Sequence, residues 1–321
     1  MTKLLHLRPK SLALIVSLGL IISPTISACV SSQTSELSNF SDPAAVEDVV
    51  QIGVLVLDNV DATRARYEPL FDELSSAIGR PVNFVPMPFE SILLMAEAGK
   101  VDFVISSPLS AVQMRRLNGT EFLATIALEE TGAKYGGLIV VKPDSPITTA
   151  NDLVGRTGAC ASMTTSAAGC LFQIYHLNQK GLDPRKPSND IRITEIPSHD
   201  KIVDAVLNDD EIEFGFVRSD QLQRMVDRGL LSSIDEVRVL EPTQDDYPLA
   251  HTTQLYPTWP IAAFPDTPEV LREQVRQALL NIPEGHESLA SAGFSQIIPP
   301  ADYSEVDNLI ETLNLTSAEA E

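Results

Sequence analysis

A run of hydroxyl side chains near the middle of the chain has the composition of an oxyanion-binding loop. Thr164, Thr165 and Ser166 follow a predicted strand at 156–160, and a predicted helix runs over 165–180. A hydroxyl at a helix start either caps the helix or joins the first-turn N–H groups in binding an anion, because those amides and the helix dipole favour negative charge. The pattern therefore predicts an oxyanion site or, from these residues alone, an ordinary capped turn.

Two basic side chains follow later strands of the same region. His199 comes after a predicted strand at 191–196, and Arg218 stands at the carboxyl end of one at 213–217. An imidazole N–H can donate to an oxyanion, and a guanidinium can grip one with two parallel hydrogen bonds. The alternatives are a helix-capping or exposed histidine and, for the arginine, a salt bridge with one of many acids.

Further candidates lie in the first half of the chain. Ser106, Ser107 and Ser110 follow a predicted strand at 101–105 and surround the start of a helix, where they can meet a ligand or cap that helix. Tyr135 is placed near the edge of a cleft or hinge, and simple packing is the alternative. These four residues complete the predicted ligand-binding set.

The elements that must position these residues alternate along the chain. A nearly continuous apolar run at 51–57 indicates a strand buried on both faces. Further strands are predicted at 82–85, 101–105, 122–128 and 135–141, with helices at 62–78, 89–98 and 108–117. Such alternation predicts a parallel α/β sheet that holds ligands at the carboxyl ends of its strands.

The strand–helix pattern restarts near residue 149 and predicts a second α/β lobe. We assign 49–141 and 249–321 to lobe 1 and 142–248 to lobe 2. In this scheme the stretch at 251–256 returns the chain to the first sheet. Helices are then predicted near 268–281, 284–292 and 302–314.

The first residues have the form of an export signal. A basic start and a short apolar stretch lead into Ile26-Ser27-Ala28-Cys29, which resembles the lipobox of bacterial lipoproteins. This implies a signal peptide at 1–28, a lipid on Cys29 and a polar tether at 29–48. The expected location is a bacterial cell membrane, where the lipid anchors the protein facing the periplasm or the cell exterior.

Composition excludes several classes of function. The formal net charge is −21 and becomes about −24 once the three basic residues of the signal are removed, which argues against nucleic acid and anionic lipid as partners. No nucleotide-loop, zinc-protease, CxxC or GxSxG motif occurs, so we expect no enzyme activity, cofactor or metal. Outside the cytosol, Cys160 and Cys170 favour a disulfide over two buried thiols.

Several segments together resemble a known family, the phosphonate-binding proteins of ABC importers. These segments are Tyr67-Glu68-Pro69-Leu70, Val101-Asp102-Phe103-Val104, Ser145-Pro146-Ile147, Asp152-Leu153-Val154-Gly155-Arg156 and Pro197-Ser198-His199-Asp200. Two later segments, Phe216-Val217-Arg218 and Leu255-Tyr256-Pro257-Thr258-Trp259-Pro260, are similar to the sensing domains of tetrathionate-type sensor kinases.

The resemblance implies a two-lobed α/β fold of the periplasmic binding protein type II class. Each lobe is then a mainly parallel sheet flanked by helices, and crossing strands join the lobes around a ligand cleft. In this family a Ser/Thr run at a helix start holds the phosphonate group, which maps onto Thr164, Thr165 and Ser166, and a histidine that maps onto His199 joins it. The implied protein is a monomer that passes a small oxyanion to an ABC permease and ATPase or, alternatively, reports it to a sensor kinase.

Overall fold

Strands and helices alternate along most of the chain, as the apolar periodicity predicts. The computed structural model describes residues 49–56, 59–88 and 91–315. The strands are β1 (Val50–Val56), β2 (Val82–Pro88), β3 (Phe103–Ile105), β4 (Glu121–Leu128), β5 (Lys134–Tyr135), β6 (Gly137–Val141), β7 (Thr157–Cys160), β8 (Arg192–Glu195), β9 (Phe214–Arg218), β10 (Arg238–Val239), β11 (Tyr256–Pro257), β12 (Pro260–Ala263) and β13 (Phe294–Ile298).

Most helices begin within a few residues of their predicted starts. They are α1 (Val60–Ile78), α2 (Ile92–Glu97), α3 (Pro108–Asn118), α4 (Phe172–Gln179), α5 (His199–Asn208), α6 (Gln221–Asp227), α7 (Glu269–Leu280), α8 (Glu287–Ala290) and α9 (Ser304–Thr312). A π turn at Ala167–Leu171 precedes α4, and short 3-10 turns lie at Ala150–Leu153, Pro187–Asn189 and Ile234–Glu236. Among the described helices, none combines the length and apolar composition that crossing a bilayer requires.

The first sheet has six strands in the order β13-β4-β12-β3-β1-β2. β1 pairs in parallel with β2 and β3, and β12 runs antiparallel between β3 and β4. β1 to β4 therefore point one way, while β12 and β13 oppose them. β1 is buried along nearly its whole length, as its apolar run predicts for a strand covered on both faces.

The second sheet has five strands in the order β10-β6-β9-β7-β8. β7, β8 and β9 are parallel, and β6 runs against β9. Both lobes are thus mainly parallel in strand direction, and the predicted two-lobed α/β architecture is confirmed.

The lobe boundary predicted after residue 141 is wrong by one strand. β6 lies in the second sheet, although we assigned it to lobe 1 as part of a single strand at 135–141. Gly136 divides that apolar run: β5 before it pairs with β11 in a separate two-stranded sheet, and β6 after it pairs with β9. An apolar run does not reveal that its two halves pair with different partners.

The chain first passes between the lobes at Gly136, and its second crossing, at 251–256, lies beside β6. The backbone N–H groups of Thr252 and Thr253 donate to the Gly137 carbonyl at 2.9 and 3.2 Å, and Gly137 N–H donates to Thr253 Oγ1 at 2.9 Å. The stretch at 251–256 therefore forms this crossing and leads the chain back to the first sheet, as predicted. The strand that it leads to is β12, which pairs with β3.

One strand of the first sheet escaped prediction. β13 contains polar Ser295 and Gln296 and shows no clean alternation, yet it pairs with β4 at the sheet edge. Beyond it, the Tyr303 hydroxyl donates to the Thr258 carbonyl at 2.9 Å and also contacts Thr125 Oγ1 at 2.9 Å. These bonds tie the start of α9 to the first lobe.

Candidate functional site

Three parallel strands bring the predicted residues of the second lobe to one edge of the sheet. β7 leads into the hydroxyl loop at 161–166, β8 leads towards His199, and β9 ends at Arg218. Because parallel strands present their carboxyl ends on one side, these segments share that side. The structure therefore places them where an α/β sheet binds ligands, while their contact with a ligand stays a prediction.

The helix that follows the hydroxyl loop begins with a π turn and not with the α-helix predicted from residue 165. The Leu171 N–H donates to the Ser166 carbonyl at 2.9 Å, five residues back. Ser166 occupies the N-cap position, yet its side chain makes no capping bond and has no hydrogen-bond partner within the described residues. A single π turn is frequent at functional sites, and this one leaves a hydroxyl uncommitted at the helix start.

Two carbonyls of the π turn accept hydrogen bonds from groups other than helical backbone N–H groups. The Gly169 carbonyl accepts from the Ala161 N–H at 3.0 Å, and the Ala168 carbonyl accepts from Gln173 Nε2 at 2.8 Å. Because these acceptors are satisfied elsewhere, the turn keeps its wide form without leaving carbonyls unpaired.

A disulfide closes the same loop. Cys160, the last residue of β7, is bonded to Cys170 within the π turn at an S–S distance of 2.02 Å. Both cysteines are fully buried. The bridge fixes the start of the helix against the end of the strand, so that the hydroxyl run between them forms a closed loop.

Within this loop, Ser162 bonds the turn that precedes the helix. Its Oγ accepts from the Thr164 N–H at 3.4 Å and from the Thr165 hydroxyl at 3.0 Å, and it lies 3.2 Å from the Thr164 hydroxyl. Thr164 is exposed, and Thr165 is half-buried. The predicted caps at Thr164, Thr165 or Ser166 are therefore wrong, since an earlier serine bonds the turn.

His199 packs directly against the π turn. A Cβ on Gly169 would lie 2.4 Å from His199 Cε1, 2.9 Å from His199 Nε2 and 2.7 Å from Ser166 Oγ. These distances are shorter than real Cβ contacts, so only glycine lets the imidazole approach the backbone here. The structure thus brings His199 and Ser166 together over one glycine.

The imidazole of His199 is neutral at physiological pH. Burial lowers its pKa to about 4, and the positive charge of Arg218 acts in the same direction, against the carboxylates of Asp220 and Asp200. Nδ1 is buried with no hydrogen-bond partner among the described residues. A buried polar atom of this kind needs a partner, and a bound ligand is one candidate.

Arg218 realises one of its two predicted roles and leaves the other open. Its Nε forms an ion pair with the carboxylate of Asp220, which is fully buried, and Arg224 Nη1 lies 3.7 Å from the second oxygen of that carboxylate. Within the described residues the two Nη groups of Arg218 have no partner. The salt bridge thus orients the side chain, and the terminal N–H groups remain available for an anion.

The Tyr135 ring contacts the guanidinium of Arg218. The Arg218 guanidinium carbon lies 5.7 Å from the Tyr135 ring centre, within the range of a cation–π contact, and the ring meets Phe172 edge-on at 5.5 Å. Burial raises the pKa of Tyr135. The Tyr135 side chain therefore makes the packing contacts of the alternative interpretation, and it supports Arg218.

The first-lobe serines bond mainly to one another. Ser107 Oγ accepts from the Ser110 N–H at 3.3 Å and lies 3.1 Å from Ser110 Oγ, while Ser106 Oγ donates to the Ser107 carbonyl at 3.4 Å. All three are buried, and within the described residues none of their hydrogen bonds reaches the second-lobe cluster. These are the contacts of the capping alternative.

The arrangement suits an anion that is held without chemistry. Ser166 and His199 supply uncommitted polar atoms beside Gly169, and the first-turn amides of the helix lie beside them. The charge of Arg218 acts on the same imidazole. Among the described residues, no group of three or more His, Cys, Asp or Glu side chains is placed to hold a metal ion.

Sequence reasoning missed two residues that support the cluster. Asp220, two residues after Arg218, orients the guanidinium, and Gln173 bonds the π turn. The Arg-Ser-Asp order beyond a buried strand is a weak signal for Asp220. The only sequence signal for Gln173 is that it is a polar residue among apolar ones.

Comparison with known proteins places the chain in a family. Residues 52–304, more than half of the chain, match the family described as ABC transporter, phosphonate, periplasmic substrate-binding protein. The chain is 30% identical over 266 residues to the tetrathionate sensor histidine kinase TtrS of Salmonella typhimurium, covering 81% of this chain and 43% of that protein. It is 26% identical over 125 residues to the phosphonates-binding periplasmic protein of Escherichia coli, covering 37% of each.

The chain thus spans less than half the length of these two curated relatives. Among solved structures, it is similar to PhnD1 from Prochlorococcus marinus, solved in complex with methylphosphonate, with a TM-score of 0.63 at 17% identity over 83% of this chain and 98% of that one. This likeness confirms the predicted two-lobed fold of the periplasmic binding protein type II class.

Proposed function

This chain belongs to the family of periplasmic substrate-binding proteins of phosphonate ABC transporters, and we propose that it captures a small oxyanion between its lobes and delivers it to an ABC permease. The proposed ligands are phosphonate, phosphite, phosphate or a similar small oxyanion. Closure of the two lobes buries the anion, and the higher affinity of the closed state drives the motion. The protein needs no catalytic group for this task.

One observation carries the proposal: uncommitted polar atoms lie at one edge of the second sheet, with Ser166 and His199 both against Gly169. The Ser166 hydroxyl, the buried Nδ1 of His199 and the Nη groups of Arg218 are without protein partners within the described residues. Polar atoms in such a place cost free energy unless a ligand or water bonds them. Their donors match a tetrahedral oxyanion, and Ser106, Ser107, Ser110 and Tyr135 complete the proposed lining from the other lobe and the hinge.

A thermal-shift screen followed by calorimetry tests this function. The panel contains methylphosphonate, phosphite, phosphate, sulfate and tetrathionate, each added to the full chain. An anion at about 100 times its Kd adds about 2.7 kcal/mol to the free energy of unfolding, so a true ligand gives a clear rise in Tm. If every anion leaves Tm unchanged, the solute-binding role fails for this class of ligand.

A second candidate is an oxyanion receptor that works with a sensor kinase. The observation in its favour is the likeness to the tetrathionate sensor kinase, which covers 81% of this chain. The same panel separates the ligands: tetrathionate as the preferred anion supports sensing, and a phosphorus oxyanion supports import. Pull-down from native membranes then distinguishes a permease from a kinase as the partner.

We also propose that Cys29, which lies outside the described residues, carries the lipid that anchors the protein to the membrane. The support is the Ile26-Ser27-Ala28-Cys29 sequence alone. Cys29→Ser should abolish labelling by a radioactive fatty acid and release the protein from the membrane fraction. Labelling that persists in this variant contradicts the anchor.

A further inference from the structure

A single buried glutamine contacts three parts of the second lobe at once. Gln173, near the start of α4, is fully buried, and its Nε2 lies 2.8 Å from the Ala168 carbonyl, 2.9 Å from the Val217 carbonyl and 3.1 Å from the Leu138 carbonyl. Ala168 belongs to the π turn, and Val217 precedes Arg218. Leu138 lies in β6, next to the interlobe crossing.

The orientation of this side chain follows from its surroundings. Three carbonyl oxygens face one end of the amide, and only the NH₂ group can donate to them. Oε1 then points the other way, where it is buried and has no hydrogen-bond partner among the described residues. The NH₂ group has two hydrogens for three carbonyls, while its own oxygen stays unpaired. Such an arrangement is poorly suited to stability alone, because an unpaired buried acceptor costs free energy.

The backbone opposite Gln173 is shaped to admit it. A Cβ on Gly137 would lie 2.4 Å from Gln173 Nε2 and 2.6 Å from its Cδ, so no side chain fits at that position while Gln173 is there. Gly137 is also the residue whose N–H and C=O bond Thr253 and Thr252 of the second crossing. The glutamine therefore contacts Gly137, where the start of β6 is hydrogen-bonded to the 251–256 crossing.

We propose that Gln173 is a positioning residue that couples the interlobe hinge to the oxyanion loop, an inference that rests on the proposed function of that loop. Its amide holds the Ala168 carbonyl out of the helix, which keeps the π turn open. It also holds Val217, and through it the end of β9 that carries Arg218. A rotation at Gly137 during closure reaches both halves of the site through this one side chain.

The test compares three variants of the full chain by hydrogen–deuterium exchange without ligand. Gln173→Met keeps the volume and removes the donors, so protection of the 161–171 amides and of 137–139 should fall about tenfold relative to wild type. Gln113→Met is the matched control, because the Gln113 amide donates to a single carbonyl, that of Leu315, away from the site. Its loop protection should equal that of wild type.

Gln173→Glu separates positioning from mere packing. A protonated carboxyl retains one O–H donor, but an ionised one faces three carbonyl oxygens and is repelled. Burial beside these carbonyls raises the pKa of the carboxyl above its ordinary value. Loop protection, compared with wild type at each pH, should therefore be higher at pH 5 than at pH 8, where it should be as low as in Gln173→Met. Loop protection that is the same at both pH values, or a loss spread evenly over the whole chain, overturns the proposal.

Binding of methylphosphonate and phosphate supplies the second readout. If wild type binds either anion, Gln173→Met should weaken that binding about tenfold and Gln113→Met should not change it. If wild type binds neither, the solute-binding proposal is in doubt for these anions, while the exchange data still decide whether Gln173 couples the hinge to the loop. Wild-type affinity in Gln173→Met, together with wild-type loop protection, refutes the coupling.

Discussion

Two helices of this chain begin after a parallel strand with a run of hydroxyl residues, and they begin in different ways. At α3, Ser107 caps the helix through the Ser110 N–H, and Pro108 occupies the first turn. At the π turn before α4, Ser166 holds the N-cap position without a capping bond. The first start is satisfied internally, and the second leaves polar atoms open.

The difference lies in the residues around each run and not in the hydroxyls. Proline fixes the backbone for an ordinary helix start at α3. Before α4, Gly169 admits His199, Gln173 draws off a carbonyl, and a disulfide closes the loop. A hydroxyl run after a strand therefore does not by itself distinguish a cap from a binding site, whereas the groups that donate hydrogen bonds to the neighbouring carbonyls do.

The largest effect is expected from filling the glycine of the open start. In Gly169→Ala the new methyl group overlaps His199 and Ser166, so oxyanion affinity should fall more than a hundredfold. Overpacking of this kind also costs about 1–3 kcal/mol of stability. Calorimetry with the best anion of the panel and a denaturant titration measure the two losses.

The double variant Gly169→Ala/His199→Ala is the control for this change. It removes the ring that the methyl group meets, so stability should largely return while affinity stays low. Wild-type affinity in Gly169→Ala would show that the ligand binds elsewhere.

A matched pair of serine variants tests the comparison directly. Ser166→Ala removes an uncommitted donor, and a hydrogen bond to a charged ligand contributes about 1.5–3 kcal/mol, so affinity should fall roughly tenfold to a hundredfold at nearly unchanged stability. Ser107→Ala removes a cap and should lower stability by about 1 kcal/mol. If both variants lose affinity, or both lose stability, the two helix starts are equivalent and the comparison fails.

The arginines that flank Asp220 form a second matched pair, with a smaller effect. Arg218→Lys keeps the charge but loses the planar fork, so affinity should fall about tenfold if the Nη groups hold the anion. Arg224→Lys keeps a charge near the same carboxylate and should bind like wild type. Equal affinities in calorimetry of the two variants would assign Arg218 to the salt bridge alone.

The last prediction concerns the pH dependence of stability. The pKa of His199 is lowered from 6.5 to about 4 in the fold, so the unfolded chain takes up the proton first as the pH falls. The contribution of this histidine to stability is therefore complete above pH 6.5 and is lost towards pH 4. His199→Gln should lose less Tm than wild type over this interval, as measured by thermal denaturation at several pH values. A parallel decline in both proteins contradicts the lowered pKa.

The sequence predicted the two-lobed α/β fold, and the candidate site residues lie at one edge of the second sheet. Apolar runs such as the one in β1 and the helical spacing in α1 are local signals, and the structure follows them closely. The positions of His199 and Arg218 followed from the same reasoning, since each comes after a strand whose end is visible in the sequence. Direct contact of these residues with a ligand remains a prediction.

The errors arose where one residue changes the pairing or the helix type. Gly136 splits an apolar run between two sheets, and the choice of partner strand depends on contacts distant in sequence. The π turn adds one residue to a helical turn, which periodicity over 165–180 cannot resolve. The Thr165 hydroxyl donates to Ser162 instead of capping the helix, and residue type alone does not reveal which of these bonds forms.

The Cys160–Cys170 disulfide means that the loop closes only after the chain has been oxidised. The covalent link spans the entire hydroxyl run, and such links form in oxidising compartments but not in the reducing cytosol. A newly synthesised chain thus possesses every side chain of the site before it possesses the ring that encloses them. The proposed capture of an anion would then be acquired during maturation, and protein prepared under reducing conditions should bind the anion differently from protein prepared under oxidising ones.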